Sequence, residues 1–294
     1  KYQSGIVLMR KLEEGLKPVS LKPGEQAIIR KFTSYEESTN AGIPTVGVEI
    51  EVDIPSVGAV MKFKGATPLG TSAGSGEAIH LVDSIIEYSE YKDIIDKHPD
   101  MFQKTEGGVY TFSKKTSEAQ VKATQDAKLI DLFKRASRYE GKGCLNAVDN
   151  VLKRIAPQFE GKNLTALTLR DIDTTLLKLE RDLAAERGKL SSRDADAQTM
   201  TMQRKQNLGM NAILSVSLAL ARAVAHIRGE ELYGLIREEM FSIIDSLAKD
   251  NNVQIKSRET SDYINALREI NDILDKQGKP LFETLRNKTK IYTS

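Results

Sequence analysis

The sequence predicts an α+β protein in which strands come first along the chain and helices follow. Between residues 45 and 53, apolar and polar side chains alternate, as in a strand with one buried face. From residue 119 onwards, apolar side chains instead recur every three or four residues, which is the spacing of an amphipathic helix. Because the two patterns occupy separate parts of the chain, they favour a segregated α+β fold over an alternating βαβ fold.

Three strands with short connections predict an antiparallel meander. Residues 27–32 form the first strand, residues 45–53 the clearest one, and residues 59–64 a third with the same alternation. The Ile-Pro-Ser sequence at 54–56 predicts a turn between the second and third strands. Consecutive strands joined in this way pair with their neighbours in sequence order.

The segments that flank the meander predict helices and one small hairpin. Residues 1–17 carry a rough helical stripe that ends at a linker with two prolines, so we expect an N-terminal helix and linker there. Residues 65–76 form a loop rich in glycine, serine and threonine. Residues 78–91 predict a helix, and residues 98–115 suggest a small hairpin.

Apolar stripes predict a series of helices after residue 119. Thr168 and Asp171 have the spacing of a capping box, which predicts a helix start. The helix at 145–155 is expected to end before Pro157, and the polar segment 186–205 is expected to be exposed and mobile. The stripes lie at residues 129–136, 145–155, 172–183, 232–247 and 264–274.

The most apolar stretch of the chain predicts a central core helix. Residues 212–225 are small or apolar almost throughout, and the polar exceptions are Ser215, Ser217 and Arg222. A helix that is apolar nearly all round is expected to be buried. The stretch is shorter than the ~20 residues of a membrane span, so we expect no membrane association and a helix around which the domain packs.

Composition excludes several classes of function. The chain has 294 residues and a formal net charge of +2, which gives no electrostatic case for binding nucleic acid or an anionic membrane. The single cysteine, Cys144, excludes an intrachain disulfide and favours a reducing compartment, which we take to be the cytoplasm. Cys144 lies in an amphipathic pattern and is expected to be buried packing. His80, His98 and His226 are far apart on different predicted elements, so we expect structural roles for them.

Four stretches of the chain match the motifs of a known family in the same order. Residues 42–50, GIPTVGVEI, are similar to GNPTVEVEV, and residues 68–83, PLGTSAGSGEAIHLVD, to PSGASTG-x-x-EA-x-ELRD. Residues 138–151, RYEGKGCLNAVDNV, are similar to RYLGKGVLKAVENV. Residues 208–233, LGMNAILSVSLALARAVAHIRGEELY, are similar to LGANAILGVSLAVAKAAA followed by G-x-PLY. These motifs belong to the N-terminal capping domain of enolases, which the chain resembles; that domain is a three-stranded antiparallel sheet followed by helices.

The resemblance divides the chain into three parts. We predict an N-terminal helix and linker at residues 1–25, an enolase N-terminal-like domain at 26–236, and a C-terminal helical extension at 237–294. Compared with the family, the middle part carries insertions near 84–134 and 186–203. Both insertions add surface, which we expect to serve contacts.

Several positions depart from the family pattern where its capping domain contributes to the active site. The resemblance makes the family's loop serine a ligand of the second magnesium, but this chain has Leu69 there, whose side chain offers no oxygen to a hard cation. The arginine of the family's SRGNPT motif is replaced by Ala41, and that of ELRD by Val82. The loop positions that match are Gly70, Thr71, Ser72, Gly74 and Glu77, which loop geometry alone explains.

Two hypotheses of function follow from the resemblance. In enolases the domain covers a β/α barrel that holds the magnesium carboxylates, the catalytic lysine and the acid and base glutamates, whereas only helices are predicted in residues 237–294. We therefore expect a non-catalytic protein without metal or cofactor. It would be a structural or interaction module that binds other protein chains, as a homo-oligomer or in a larger assembly. The alternative is a portion or subunit of a magnesium-dependent phosphopyruvate hydratase, which converts 2-phosphoglycerate to phosphoenolpyruvate and whose barrel is encoded elsewhere.

Overall fold

The computed structural model of the protein describes residues 21–68, 77–105, 108–190 and 195–289. The helix predicted at 1–17 and most of the glycine-rich loop lie outside these ranges. Within them the fold is α+β, with the main sheet first and helices after it, as predicted.

Three antiparallel strands, in the order β1-β2-β3, form the predicted meander. They are β1 (Ile28–Ser38), β2 (Pro44–Ile54) and β3 (Ala59–Ala66), and a short 3-10 turn at Pro55–Val57 joins the last two. Strand β1 ends at residue 38 rather than 32, because it pairs with β2 along its whole length. One face of the sheet is buried, as the alternation predicts.

The segment between the sheet and the later helices forms a small unit with its own hydrophobic cluster. Its buried members include Ile86, Ile95, Phe102 and Leu129, and the cluster is separate from that of the sheet. The hairpin predicted in residues 98–115 is confirmed. The elements are α1 (Tyr88–Lys97), β4 (Phe102–Lys104) paired with β5 (Tyr110–Phe112), α2 (Glu118–Ala123) and α3 (Ala127–Ala136).

The prediction of a helix at residues 78–91 is wrong over its first ten residues. Backbone groups there pair with other parts of the chain: Ile79 N–H donates to the Arg204 carbonyl (2.7 Å), and Ile86 N–H to the Tyr110 carbonyl (2.8 Å). These long-range hydrogen bonds replace the local ones of a helix, so tertiary pairing decides the conformation.

The helix expected to stop before Pro157 continues through it. Helix α4 (Leu145–Asn150) passes into a π-helical turn at Val151–Ile155 and then into α5 (Ala156–Phe159). A proline within a helix donates no hydrogen bond, and its ring crowds the carbonyl four residues earlier. The wider π turn directly before Pro157 accommodates that crowding.

Two further helices lead to the central one. Helix α6 (Leu169–Glu186) begins with the predicted capping box, in which Thr168 Oγ1 accepts from Asp171 N–H (3.1 Å) and Asp171 accepts from Thr168 N–H (3.0 Å). Helix α7 (Ala195–Arg204) occupies part of the segment expected to be exposed and mobile. The expected exposure is wrong at Thr199 and Met202, which are buried, while the other residues of α7 are exposed or half-buried.

Helix α8 (Met210–Ile227) is the predicted central helix and packs across β2 and β3. Its close contact with the sheet depends on Gly65. A Cβ atom at this position would lie 2.0 Å from the Ser215 carbonyl oxygen and 2.6 Å from the Ala219 amide nitrogen. No side chain fits between the backbones of β3 and α8, so Gly65 sets how closely they approach.

The apolar character of α8 reflects burial within the protein. Among the described helices, α8 alone is long and apolar enough to cross a membrane, with 18 residues, a mean hydropathy of 1.5 and 67% of its length buried. The prediction that it is too short for a span is therefore wrong. Burial is also not complete on all sides, because Leu214 and Leu218 are half-buried and Arg222 is exposed.

The C-terminal helices share a third hydrophobic cluster. They are α9 (Leu232–Asp250), α10 (Thr260–Lys276) and α11 (Leu281–Thr289). Phe241 stacks on Tyr263 at the centre of this cluster, with ring centroids 3.7 Å apart. The first turn of α9 instead packs on the sheet cluster through Leu235. The domain boundaries drawn from the sequence stay a prediction.

We predict that Gly65→Ala lowers the free energy of unfolding by about 1–3 kcal/mol, the usual range for overpacking a core. The added methyl group must displace the backbone of α8 or of β3. Urea denaturation followed by circular dichroism measures the change.

Gly234→Ala is the matched control. Its Cβ would lie 3.5 Å from Glu230 Oε2, an ordinary contact, inside a helix where alanine is favoured by up to ~1 kcal/mol. Equal stability of the Gly65→Ala protein and the unchanged protein would show that α8 does not depend on this close approach.

Candidate functional site

The predicted site residues lie around one loop, of which only the two flanks belong to the described residues. Ala41 is exposed in the turn between β1 and β2, Val82 is half-buried, and Glu77 is exposed at the end of the loop. Five predicted positions lie outside the described residues: Leu69, Gly70, Thr71, Ser72 and Gly74.

Buried hydroxyl groups hold the first flank of the loop. Thr67 Oγ1 donates to the Asn211 carbonyl (2.9 Å) and lies 2.8 Å from Ser215 Oγ on α8. Ser215 Oγ in turn donates to the Val46 carbonyl (2.7 Å), and Thr45 Oγ1 donates to the Thr67 carbonyl (2.9 Å). Since Thr45, Thr67 and Ser215 are all buried, these hydrogen bonds fix the chain where it leaves β3.

The side-chain amide of Asn211 holds the second flank. Its Oδ1 accepts from Leu81 N–H (3.0 Å) and its Nδ2 donates to the Leu81 carbonyl (3.0 Å). Asn211 thus pairs with Leu81 as a neighbouring strand would. Two further hydrogen bonds tie this flank to the start of α8 and the end of α7: Met210 N–H donates to the Ile79 carbonyl (2.8 Å) and Arg204 Nη1 to the Glu77 carbonyl (2.9 Å).

The turn before α8 is shaped so that Asn211 reaches Leu81. Glu180 is fully buried and accepts from the backbone N–H groups of Asn207 (2.9 Å) and Leu208 (2.7 Å). Gly209 has a φ of +95°, and a Cβ there would lie 2.6 Å from the Leu81 Cβ. The leucine, glycine and asparagine of the LGMN motif therefore each have a physical reason for their position.

Two of the three positions that depart from the family pattern, Ala41 and Val82, belong to the described residues, and all three lie close in sequence to this network. Ala41 precedes Thr45 by four residues, Leu69 follows Thr67 by two, and Val82 directly follows Leu81. The framework that places the loop is present, while the residues at these three positions offer neither a guanidinium group nor an oxygen ligand.

A network of ion pairs and hydrogen bonds fixes the chain just after the loop. Asp83 is buried and accepts from the N–H groups of Leu145 (3.0 Å) and Asn146 (2.7 Å) at the start of α4. Burial raises the pKa of Asp83, although these two hydrogen bonds act in the opposite direction. Arg138 Nη1 lies 3.5 Å from Asp83 and donates to Glu36 (3.0 Å), which links the network to β1.

A cavity of about 380 Å³ lies beside the second flank. Its polar lining includes Asp173, Ser217 and Lys205, and Ser217 Oγ donates to Asp173 (2.8 Å). Burial raises the pKa of Asp173 and lowers that of Lys205. Perturbed pairs of this kind are typical of binding and catalytic sites, although structural pairs show them too. The remaining lining residues are Ala78, Leu177, Met210, Ile213 and Leu214.

The described residues contain no group of three or more histidine, cysteine or acidic side chains that is able to hold a metal ion. Magnesium in proteins binds oxygen ligands, and the lining of this cavity includes a single carboxylate, that of Asp173. Cys144 is buried, and burial raises its pKa to about 12, so its thiol is packing and not a nucleophile, as predicted.

The three histidines occupy separate surroundings, as their spacing predicts. His98 lies 3.2 Å from Asp126, the His226 ring packs against Phe63, and His80 Nε2 lies 3.4 Å from the Asn211 amide. Burial lowers the pKa of both His80 and His226, which favours their neutral forms. No triad forms among the described residues.

The sequence analysis missed the residues that anchor the loop. Asn211 did carry a signal, because it is a polar amide at the start of an otherwise apolar helix, and a buried amide requires partners. Thr67 carried none, since threonine is an ordinary surface residue until the fold buries it.

We predict that Asn211→Ala lowers the free energy of unfolding by about 2–4 kcal/mol, because it leaves the buried N–H and carbonyl groups of Leu81 without partners. Urea denaturation measures the loss. Asn271→Ala is the control, since that residue is only partly buried on α10 and its amide bonds only to Asp275 within the described chain. If the two variants lose the same small amount, Asn211 does not hold the loop flank.

Comparison with known proteins finds similarity to enolases over part of their length. The enolase of Thermococcus kodakarensis is 40% identical over 107 residues, which cover 36% of this chain and 20% of that enzyme. The enolase of Methanopyrus kandleri is 30% identical over 192 residues, which cover 65% of this chain and 27% of that protein. The enolase of Methanococcus aeolicus is 37% identical over 107 residues, with 36% and 20% covered.

No protein-family model matches the sequence. The chain spans only about a fifth to a quarter of the length of the enolases that it matches. The sheet order, the helices that follow it and these partial matches agree with the resemblance found in the motifs. The chain therefore contains a domain related to the N-terminal part of enolases.

Proposed function

We propose that this protein is a non-catalytic relative of enolase that acts as a structural or interaction module. The observation that supports this most strongly is the contrast at the loop. The anchors Thr67, Asn211 and Ser215 are in place, but Ala41, Leu69 and Val82 stand where the family's pattern has side chains that bind ligand. The two flanks of the loop are therefore fixed, while the residues at these three positions lack the family's chemistry.

The helices after α8 give a second line of support. In enolases the capping domain is followed by a β/α barrel, whereas here α9, α10 and α11 follow and share their own hydrophobic cluster. These helices do not alternate with strands, so residues 232–289 do not begin a barrel.

Protein partners are the third element of the proposal. Tyr233, Ile236 and Met240 follow one another at helical spacing on α9, and their exposed fractions are 74%, 46% and 55%. Large apolar side chains in a row on one helix face are typical of a surface that another protein covers. We propose assembly with protein chains, as a homo-oligomer or in a larger complex, in the cytoplasm and without nucleic acid, membrane, metal or cofactor.

The names of the similar proteins favour one alternative. Because all three similar proteins described above are enolases, the chain is, on this alternative, a portion or subunit of a magnesium-dependent phosphopyruvate hydratase. The barrel would then be supplied from elsewhere, and Leu69 would have to be tolerated beside the second magnesium.

We predict that the purified chain does not convert 2-phosphoglycerate to phosphoenolpyruvate in the presence of Mg²⁺. The expected result is no increase in ultraviolet absorbance above the rate without protein, for the chain and for its Leu69→Ser variant. A full-length enolase in the same buffer is the positive control. Turnover that is proportional to the amount of chain and abolished by a chelator would support the alternative.

We predict that the chain self-associates through the exposed row on α9. Light scattering after size exclusion should give a mass above that of one chain, and the triple variant Tyr233→Ser, Ile236→Ser, Met240→Ser should give a lower mass with an unchanged circular dichroism spectrum. The control is Ile264→Ser on α10, an exposed apolar residue outside the row. A monomer at all concentrations would contradict the homo-oligomer, and an oligomer unaffected by the triple variant would contradict this surface.

A further inference from the structure

A second cavity, which Leu81 lines, is surrounded by residues unlike those of the first. It has a volume of about 270 Å³ and lies between the segment around α1 and the helices α4 and α6. Four cationic side chains line it, and its apolar wall is formed by Leu81 and Ile85. The four are Arg135, Lys153, Arg154 and Arg187.

Arg187 provides the most informative contact in this cleft. Its side chain is only 6% exposed. Its Nη1 donates to the Asn207 carbonyl (2.9 Å) and its Nη2 to Glu90, but its Nε finds no acceptor among the described residues. A buried N–H group without an acceptor costs free energy, so the described protein atoms do not fill the hydrogen-bonding capacity of this guanidinium.

Arg135 repeats the pattern on the facing helix. Its Nη2 donates to Asp149 (2.7 Å), while its Nε is also buried without a hydrogen bond and lies 3.9 Å from Asp83. Of the four buried side-chain atoms in the described chain that lack a partner, two therefore belong to residues that line this one cleft.

The rim of the cleft adds donors that are easier to reach. Arg154 donates to Glu186 from Nη1 (3.0 Å), and its other N–H groups find no acceptor in the described part of the chain. Lys153 makes only a long contact of 3.4 Å with Asp149. Glu87, Glu90 and Asp149 also line the cleft and occupy part of this donor capacity. The lining therefore holds four cationic and three acidic side chains, so the cations exceed the carboxylates by one.

We propose that this cleft binds the oxyanion group of a small anionic molecule, either a carboxylate or a phosphate. Arg187 and Arg135 would supply positive charge from the interior, and Arg154 and Lys153 would donate hydrogen bonds from the rim, as these side chains do at other oxyanion sites. Leu81 and Ile85 would contact the apolar part of the ligand. The volume is close to the lower end of the range for small-molecule sites.

The site is independent of the proposed loss of enolase chemistry. It contains none of the loop residues 69–76, and much of its lining comes from the segment that precedes α2. Binding there would therefore be compatible with an interaction module that responds to a metabolite, and with the alternative function as well.

Thermal denaturation in sodium phosphate, sodium acetate and sodium chloride at equal ionic strength tests the proposal. We expect phosphate or acetate, but not chloride, to raise the melting temperature in a saturable way. A response to phosphate alone identifies a phosphate group, and a response to acetate alone a carboxylate. Either response supports the site, whereas identical behaviour in all three salts overturns it.

Variants at the rim of the cleft test whether the anion binds there. Arg154 and Lys153 are 39% and 71% exposed, so the double variant Lys153→Met, Arg154→Leu should fold. We expect it to weaken binding of the active salt by about ten-fold, as for the loss of a charge-assisted hydrogen bond. Arg30→Leu, an exposed arginine on β1, is the matched control and should leave binding unchanged. Unaltered binding by the double variant would overturn the assignment to this cleft.

Discussion

The side-chain amide of Asn211 joins two parts of the chain that are 130 residues apart in sequence. It pairs with both backbone groups of Leu81, while the neighbouring hydroxyl groups of Thr67 and Ser215 tie the end of the sheet to the same helix. Backbone groups that leave water must find partners inside the protein. The start of α8 meets that requirement for both flanks of the loop, so it fixes where each flank lies against the central helix.

A structural feature could be predicted from the sequence when it depends on residues that are neighbours along the chain. The alternation in β2 and the capping box at Thr168 are local patterns, and the structure agrees with both. The failures at residues 78–87 and at Pro157 have the opposite cause, because long-range hydrogen bonds and a π turn decide the outcome there. For the same reason the motif residues of the loop were recognised, whereas the buried contacts of Thr67 were not.

The loop and the arginine-lined cleft show two different uses of one scaffold. Both depend on Leu81, whose backbone is held by Asn211 and whose side chain lines the cleft. On the loop side the family's framework is present and its ligand-binding side chains are replaced. On the cleft side Arg187 and Arg135 retain N–H groups without protein acceptors. The first pattern supports the proposed loss of enolase chemistry, and the charges of the cleft support the proposed anion site.

Helix α9 belongs to two hydrophobic clusters at once. Leu235, near its beginning, packs with the sheet, while Phe241 and Leu247 pack with α10. Local opening of the C-terminal cluster would therefore expose the second half of α9 while its first turns stay docked. The rate of amide hydrogen exchange should then differ along α9, with slow exchange near Leu235 and faster exchange after Phe241. Such a helix would open at a point set by its side chains, between Leu235 and Phe241, where the sequence has neither glycine nor proline.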